Sequence, residues 1–246
     1  MTYRFALEDQ DFSDYASGRV IYNLPAAPAF PLRLASEILQ RAETLLGKNR
    51  PLALFDPCCG AAYHLAALGF LHGDRIRSIL AADIDGQAVV TAERNLGLLG
   101  PDGLNRREAE LREMLAQFGK ASHAEALESL KALRQRLPEG GIPGMVFRAD
   151  ALSAQELQAG TGGAEIDLVF SDVPYGQLSG WQGVPGAEPP LYRLLESLGT
   201  VIRPGTVVAI AADKSQKAAH PAYQRAEHFK VGKRQVTLLC YNTRST

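Results

Sequence analysis

The chain lacks any apolar run long enough to cross a membrane, and its opening residues, "MTYRFALEDQDFSDY", bring acids early and no apolar stretch of the signal-peptide kind. Cysteine is scarce. There are three, Cys58 and Cys59 side by side and Cys240 far away, and no Cys-x-x-Cys pair among them. That excludes a zinc ribbon or a disulfide framework and points to a reduced, cytoplasmic protein. The five histidines (His64, His72, His123, His220, His228) show no ligand spacing, so no metal is expected. A large charge of either sign is also missing. The net charge is −1, so any nucleic-acid contact must come from local patches. Two phosphate cradles are absent as well. Neither Gly-x-Gly-x-x-Gly nor Gly-x-x-x-x-Gly-Lys-Ser/Thr occurs, which argues against nicotinamide dinucleotides and nucleoside triphosphates as ligands.

What is present is an ordinary globular composition, 46% hydrophobic and 22% charged over 246 residues. Apolar runs of strand length alternate with segments of helical period. Strands are predicted at 51–55, 77–85, 144–150, 166–172 and 206–212, with helices at 32–47, 61–73, 86–100, 153–160 and 189–202. Two further strands, near 225–231 and 234–241, follow as an antiparallel addition, and 104–137 reads as two charged helices broken near Gly119. Such alternation predicts an α/β fold with a seven-stranded, mostly parallel sheet, its last strand antiparallel. A single domain is expected over 1–246. It comprises an N-terminal segment and helix (1–50), a helical insertion (101–140) that reads either as a solvated hairpin or as a ribosomal RNA docking element, and basic C-terminal strands (213–246).

In an open parallel sheet, ligands bind beyond the carboxyl ends of the strands. The first four predicted strands end in "FDPCCGAAY" (55–63), "AADID" (81–85), Asp150 and "SDVPYG" (171–176), each with an aspartate. A ring of carboxylates repels phosphates. It suits a ligand with a cationic centre and donors at the other end, which describes S-adenosylmethionine. Asp56 then orients the first loop near the methionine end, beside Cys58, and Gly60 allows the tight turn into the helix. Asp83 accepts the ribose hydroxyls and Asp150 the adenine amino group, while Asp85 caps a helix. Taken singly, Asp56 also reads as a cap and Asp150 as a turn residue.

"SDVPYG" carries the chemistry. An exocyclic amino nitrogen on a base is a poor nucleophile because its lone pair is delocalised into the ring. Fixed acceptors on its hydrogens, and charge stabilisation as a methyl arrives, lower that barrier. Asp172 offers a carboxylate next to both cofactor and base, and the Val173 carbonyl offers a second acceptor. Pro174 sets the turn, Tyr175 provides a stacking face of about 1–3 kcal/mol, and Gly176 keeps the exit clear. A cysteine nucleophile would have to stand beside the base, and the "SDVPYG" loop has none.

"DVPYG" resembles the Asp-Pro-Pro-Tyr motif of amino-group methyltransferases, and "DPCCGAA" resembles their first cofactor motif. With "PAFPLRLASEI" (28–38), "NLGLL" (95–99), "FGKAS" (118–122), Trp181 and "DKSQK" (213–217), the chain resembles the AviRa family of avilamycin-resistance methyltransferases over nearly its whole length. The resemblance implies a Rossmann-like class I fold, S-adenosylmethionine as cofactor, and a guanine nitrogen of 23S ribosomal RNA as substrate. A monomer is expected, and antibiotic resistance and ribosome maturation would leave the same motifs. Two positions depart from the pattern. Ala62 stands where a second glycine is usual, and Val173 replaces a proline but keeps its carbonyl.

For RNA, 214–234 is basic: Lys214, Lys217, Arg225, Lys230, Lys233 and Arg234 face only Glu227. Lys214, Lys217, Lys233, Arg234 and Trp181 are the expected RNA contacts, although a solvated edge would look the same. Two other readings stay open. One is an amino methyltransferase on other RNA or DNA. The other is a non-catalytic RNA-binding or ribosome assembly factor that keeps the fold, which cofactor titration would separate.

Overall fold

The computed structural model describes residues 3–7, 10–25, 29–174 and 188–242. Tyr175, Gly176 and Trp181, singled out above, lie outside them. Seven strands form one sheet: β1 (Leu52–Asp56), β2 (Ile76–Asp83), β3 (Gly144–Arg148), β4 (Leu168–Asp172), β5 (Val207–Asp213), β6 (Tyr223–Val231) and β7 (Arg234–Tyr241), in the order β3-β2-β1-β4-β5-β7-β6. The first five pair in parallel, and β7 lies antiparallel between β5 and β6. The last two strands are therefore not a simple hairpin appended to the edge. The hairpin folds back so that its second strand takes the inner place.

Successive residues of a strand point to opposite faces. Leu54, Leu168, Phe170 and Ala209 meet α1 (Leu32–Leu46), α2 (Tyr63–Leu71) and α3 (Gly86–Gly97), while Phe55, Val169, Val208 and Ile210 meet α6 (Ala154–Thr161) and α7 (Pro190–Leu198). β1 is buried along its whole length, as a central parallel strand covered on both faces must be. Among the described residues, no helix is long and apolar enough to cross a membrane.

The insertion forms α4 (Pro101–Phe118) and α5 (Ala121–Arg134), separated at Gly119, whose φ of 60° ends α4 in the left-handed region. It is not merely a solvated hairpin. Leu104, Leu111, Leu130 and Leu133 are buried, and the buried Arg107 donates to the carbonyls of Val20 and Arg19, each at 3.0 Å. Tyr22 lies between the Arg94 and Arg107 guanidinium groups, 3.8 and 4.4 Å from its ring centre. At the other end of the N-terminal segment, Glu37 accepts the backbone N–H groups of Arg4, Phe5 and Ala6 at 2.7–2.9 Å. The segment without periodicity is thus fixed by side chains of α1, α3 and α4.

Candidate active site

β1 and β4 are neighbours whose connections run in opposite directions across the sheet, and their carboxyl ends carry Asp56 and Asp172. Asp56 Oδ1 accepts the Cys58 N–H at 2.9 Å. The Cys59 N–H donates to the Ala82 carbonyl at 2.9 Å, and the Gly60 N–H to Asp83 Oδ2 at 2.8 Å. The loop between β1 and α2 is therefore stitched to the end of β2. Gly60 has φ 52°, and a Cβ built there would meet no protein atom within 4 Å. The open space in front of a left-handed glycine lets a ligand approach the backbone. Ala62, also at φ 52°, is the one non-glycine residue of positive φ among the described residues. Alanine tolerates this at a cost of about 1–2 kcal/mol, which a glycine would not incur.

Asp83 faces this space, half-buried, and burial raises its carboxyl while the N–H groups of Asp85 and Gly60 pull it back. Asp85 caps α3 as expected, accepting the Gln87 N–H at 2.9 Å. Asp150 lies two residues beyond β3 rather than at its end. Its Oδ1 accepts the Leu152 N–H and its own N–H donates to Glu156, both at 2.9 Å, so one carboxylate oxygen already serves the turn.

Asp56 is completely buried and holds the β1–α2 loop through the Cys58 N–H. Burial pushes its carboxyl up to about 8, and burial holds the adjacent His64 down at about 4. Burial and the surrounding aspartates also hold the Cys58 and Cys59 thiols well above the ordinary value, which removes the thiolate that nucleophilic catalysis needs.

Asp172 is half-buried at the tip of β4. Burial raises its carboxyl to about 6 against the opposing pull of Arg234. Val173 continues the sheet, its N–H donating to the Ala211 carbonyl at 3.0 Å. Sequence reading missed what holds Pro174. Gln216 Nε2 donates to its carbonyl at 3.1 Å, and Asp213 bonds Ser215 through both backbone N–H and hydroxyl at 2.9 and 2.7 Å. "DKSQK" is thus a tight turn that braces "SDVP". "NLGLL" is explained in the same way. The buried Asn95 amide donates to the Ala61 carbonyl at 2.8 Å and bonds both backbone groups of Tyr22, tying the β1–α2 loop to the N-terminal segment.

The expected RNA contacts divide. Lys214, Lys217 and Lys233 are exposed. The first two line a cleft of about 720 Å³ with Arg225, His228, Gln235 and Thr237. Glu227, the only acid of that run, is engaged by Arg41 and Arg4, which leaves the edge more basic than its composition suggests. Arg234 lies apart from this edge. Its Nε and Nη2 stand 3.4 and 3.5 Å from the two Asp172 oxygens, and its guanidinium lies 5.3 Å over the Phe30 ring. In the insertion, Arg112 and Arg134 pair with Glu108, and Lys131 with Glu128, so those charges are locally spent.

The family model described as rRNA methyltransferase AviRa matches residues 1–234. A curated relative, the 23S rRNA (guanine(2535)-N(1))-methyltransferase of Streptomyces viridochromogenes, is 41% identical over 239 residues, which is 96% of this chain and 95% of that protein. The chain belongs to the AviRa family of rRNA methyltransferases. The solved structure of the rRNA methyltransferase AviRa from S. viridochromogenes superposes with a TM-score of 0.88 at 39% identity, covering 98% of this chain and 96% of that one. TrmN from Thermus thermophilus shares the fold alone, with a TM-score of 0.51 at 16% identity over 88% of this chain and 51% of that one. The AviRa match confirms the class I methyltransferase fold, with the sheet order and antiparallel β7 described above.

Proposed function

We propose that this AviRa-family enzyme methylates N1 of a guanine in 23S rRNA, with S-adenosylmethionine as the methyl donor. The observation that carries the reading is Asp172, a half-buried carboxylate raised to about 6, at the sheet's switch point and beside the cofactor loop. At neutral pH it is ionised, yet it is a better proton acceptor than an exposed aspartate. That suits N1 of guanine, which must lose its proton before it can share its lone pair.

S-adenosylmethionine, when bound, supplies an electrophilic methyl on a cationic sulfonium. The open backbone at Gly60, the Asp83 carboxylate and the remaining oxygen of Asp150 fit its methionine, ribose and adenine parts in turn. Asp56, Asn95 and Ala62 shape the loop from behind. Asp172 takes the N1 proton, the Val173 carbonyl accepts from the neighbouring amino group, and Tyr175 and Trp181 stack on bases. Lys214, Lys217 and Lys233 hold phosphates along the cleft.

Incubation with tritiated cofactor and 23S rRNA, followed by mapping of the label, tests the reading. Label at N1 of one guanine is the expected result. Label on an exocyclic amine or in another RNA class would replace it, and cofactor-independent RNA binding with no transfer would return the chain to an assembly role.

A further inference from the structure

The Asp172 carboxylate is one half of a pair. Arg234 enters the site from β7, whose antiparallel course brings its first residue to the end where the parallel strands finish, in register with Asp213. The Arg234 side chain is only 19% exposed, and its guanidinium rests on Phe30, itself wedged against Phe170 and His64 at centroid distances of 5.6 and 5.5 Å. Its contacts to Asp172, at 3.4 and 3.5 Å, are longer than the roughly 2.7–2.9 Å of a tight charged hydrogen bond. The pair thus sets a carboxylate acceptor and a guanidinium donor side by side.

With N1 of the base held at Asp172, where the methyl must arrive, an acceptor and a donor side by side read the order of groups on the base edge. Guanine places the O6 acceptor directly beside the N1–H donor. Adenine reverses the order, with amino donors beside an N1 acceptor. We propose that Arg234 is a further catalytic residue that selects guanine, its guanidinium donating to O6 while Asp172 accepts from N1–H. This rests on the role given to Asp172 above. As the N1 proton passes to the Asp172 carboxylate, negative charge spreads from N1 onto O6, where Arg234 stabilises it. N1 then forms a bond to the methyl carbon as the carbon–sulfur bond breaks. That electron pair stays on sulfur, which leaves as a neutral thioether, and Asp172 releases its proton to water.

The test uses an RNA hairpin carrying the mapped target position as guanosine or adenosine. Single-turnover transfer to guanosine should fall about 10²–10³-fold in Arg234→Met, and by less in Arg234→Lys, with cofactor affinity unchanged in both. The loss should persist at pH 9. Recovery at pH 9 would mean that Arg234 only keeps Asp172 ionised, and a change in KM without kcat would make it a phosphate anchor. Either outcome overturns the proposal. With the thioether product of the cofactor bound, the wild type should prefer the guanosine hairpin over the adenosine one by about tenfold or more. Arg234→Met should lose that preference, and retention would also overturn the proposal. An Asp172→Asn enzyme with full activity would instead sink the reading beneath it, whatever Arg234 does.

Discussion

His64 Nε2 faces Asp56 Oδ2 at 3.3 Å, without hydrogen-bond alignment, in the buried layer under the β1–α2 loop. Burial keeps both groups neutral, and their effects on stability run in opposite directions. The Asp56 carboxyl is raised from 3.8 to about 8, so its contribution is full below pH 3.8 and lost as pH climbs toward 8. The His64 imidazole is lowered from 6.5 to about 4, so its contribution is full above pH 6.5 and lost as pH falls toward 4. His72, also lowered to about 4, adds to the His64 slope. The slopes oppose one another below pH 6.5, and above it Asp56 acts without them. The Tm of the cofactor-free protein should therefore fall between pH 6.5 and 8. Asp56→Asn should flatten that fall in thermal melts. A mutant curve that tracks wild type through this window would mean that Asp56 is already ionised in the fold.

Asp83 holds the loop and, in the proposed function, also the ribose of the cofactor. Asp83→Ala should weaken S-adenosylmethionine binding by about 1.5–3 kcal/mol and also lower stability by about 1 kcal/mol, because the N–H groups of Gly60 and Asp85 lose their acceptor. Calorimetric titration and thermal melts read the two effects separately. Unchanged affinity with lowered stability would leave Asp83 as a loop brace alone.

Gly60→Ala separates backbone strain from ligand contact. The left-handed φ should cost about 1–2 kcal/mol of stability, with no clash against the protein. The added methyl enters the space assigned to the cofactor, so affinity should drop by more than the strain explains. Calorimetry showing wild-type affinity would mean that the cofactor does not approach this backbone.

Gln216 braces the Pro174 loop from the β5–β6 turn. Gln216→Ala frees the Pro174 carbonyl, and the net loss of one hydrogen bond is about 1 kcal/mol. Because the bond fixes Asp172's neighbours rather than the cofactor, kcat should fall about 5–10-fold with cofactor affinity unmoved. Equal kcat in steady-state assays would show that the loop is held well enough by Val173 and β5.

Lys214 and Lys217 line the basic cleft. Their double alanine variant should bind RNA more weakly, and the slope of log affinity against log salt should flatten by about 0.7–0.9 per lost contact. Cofactor affinity should stay constant. A salt slope equal to wild type would make both lysines solvated bystanders.

The alternation of strand-length apolar runs with helical periods determined the parallel sheet, the elements within a few residues, and which loops cluster at the carboxyl ends. These are local patterns, and period and turn chemistry are written in adjacent residues. The aspartates at those ends, the Asp85 cap and the break at Gly119 were legible for the same reason. Their environments were not. Asp56 and Asp172 both end strands, yet one is sealed beneath the loop and the other opens to the site, which depends on what packs over them. Glu37, Asn95 and Arg107 look like surface residues of helices in the sequence. Their partners are backbone atoms of a distant, aperiodic segment, and only the tertiary structure brings the two together. Arg234 sits in a basic run and reads as part of an edge. The placing of β7 between β5 and β6, antiparallel, turns it onto Asp172 and over Phe30. Strand order and register are long-range choices made by the whole core, so no window of neighbouring residues records them.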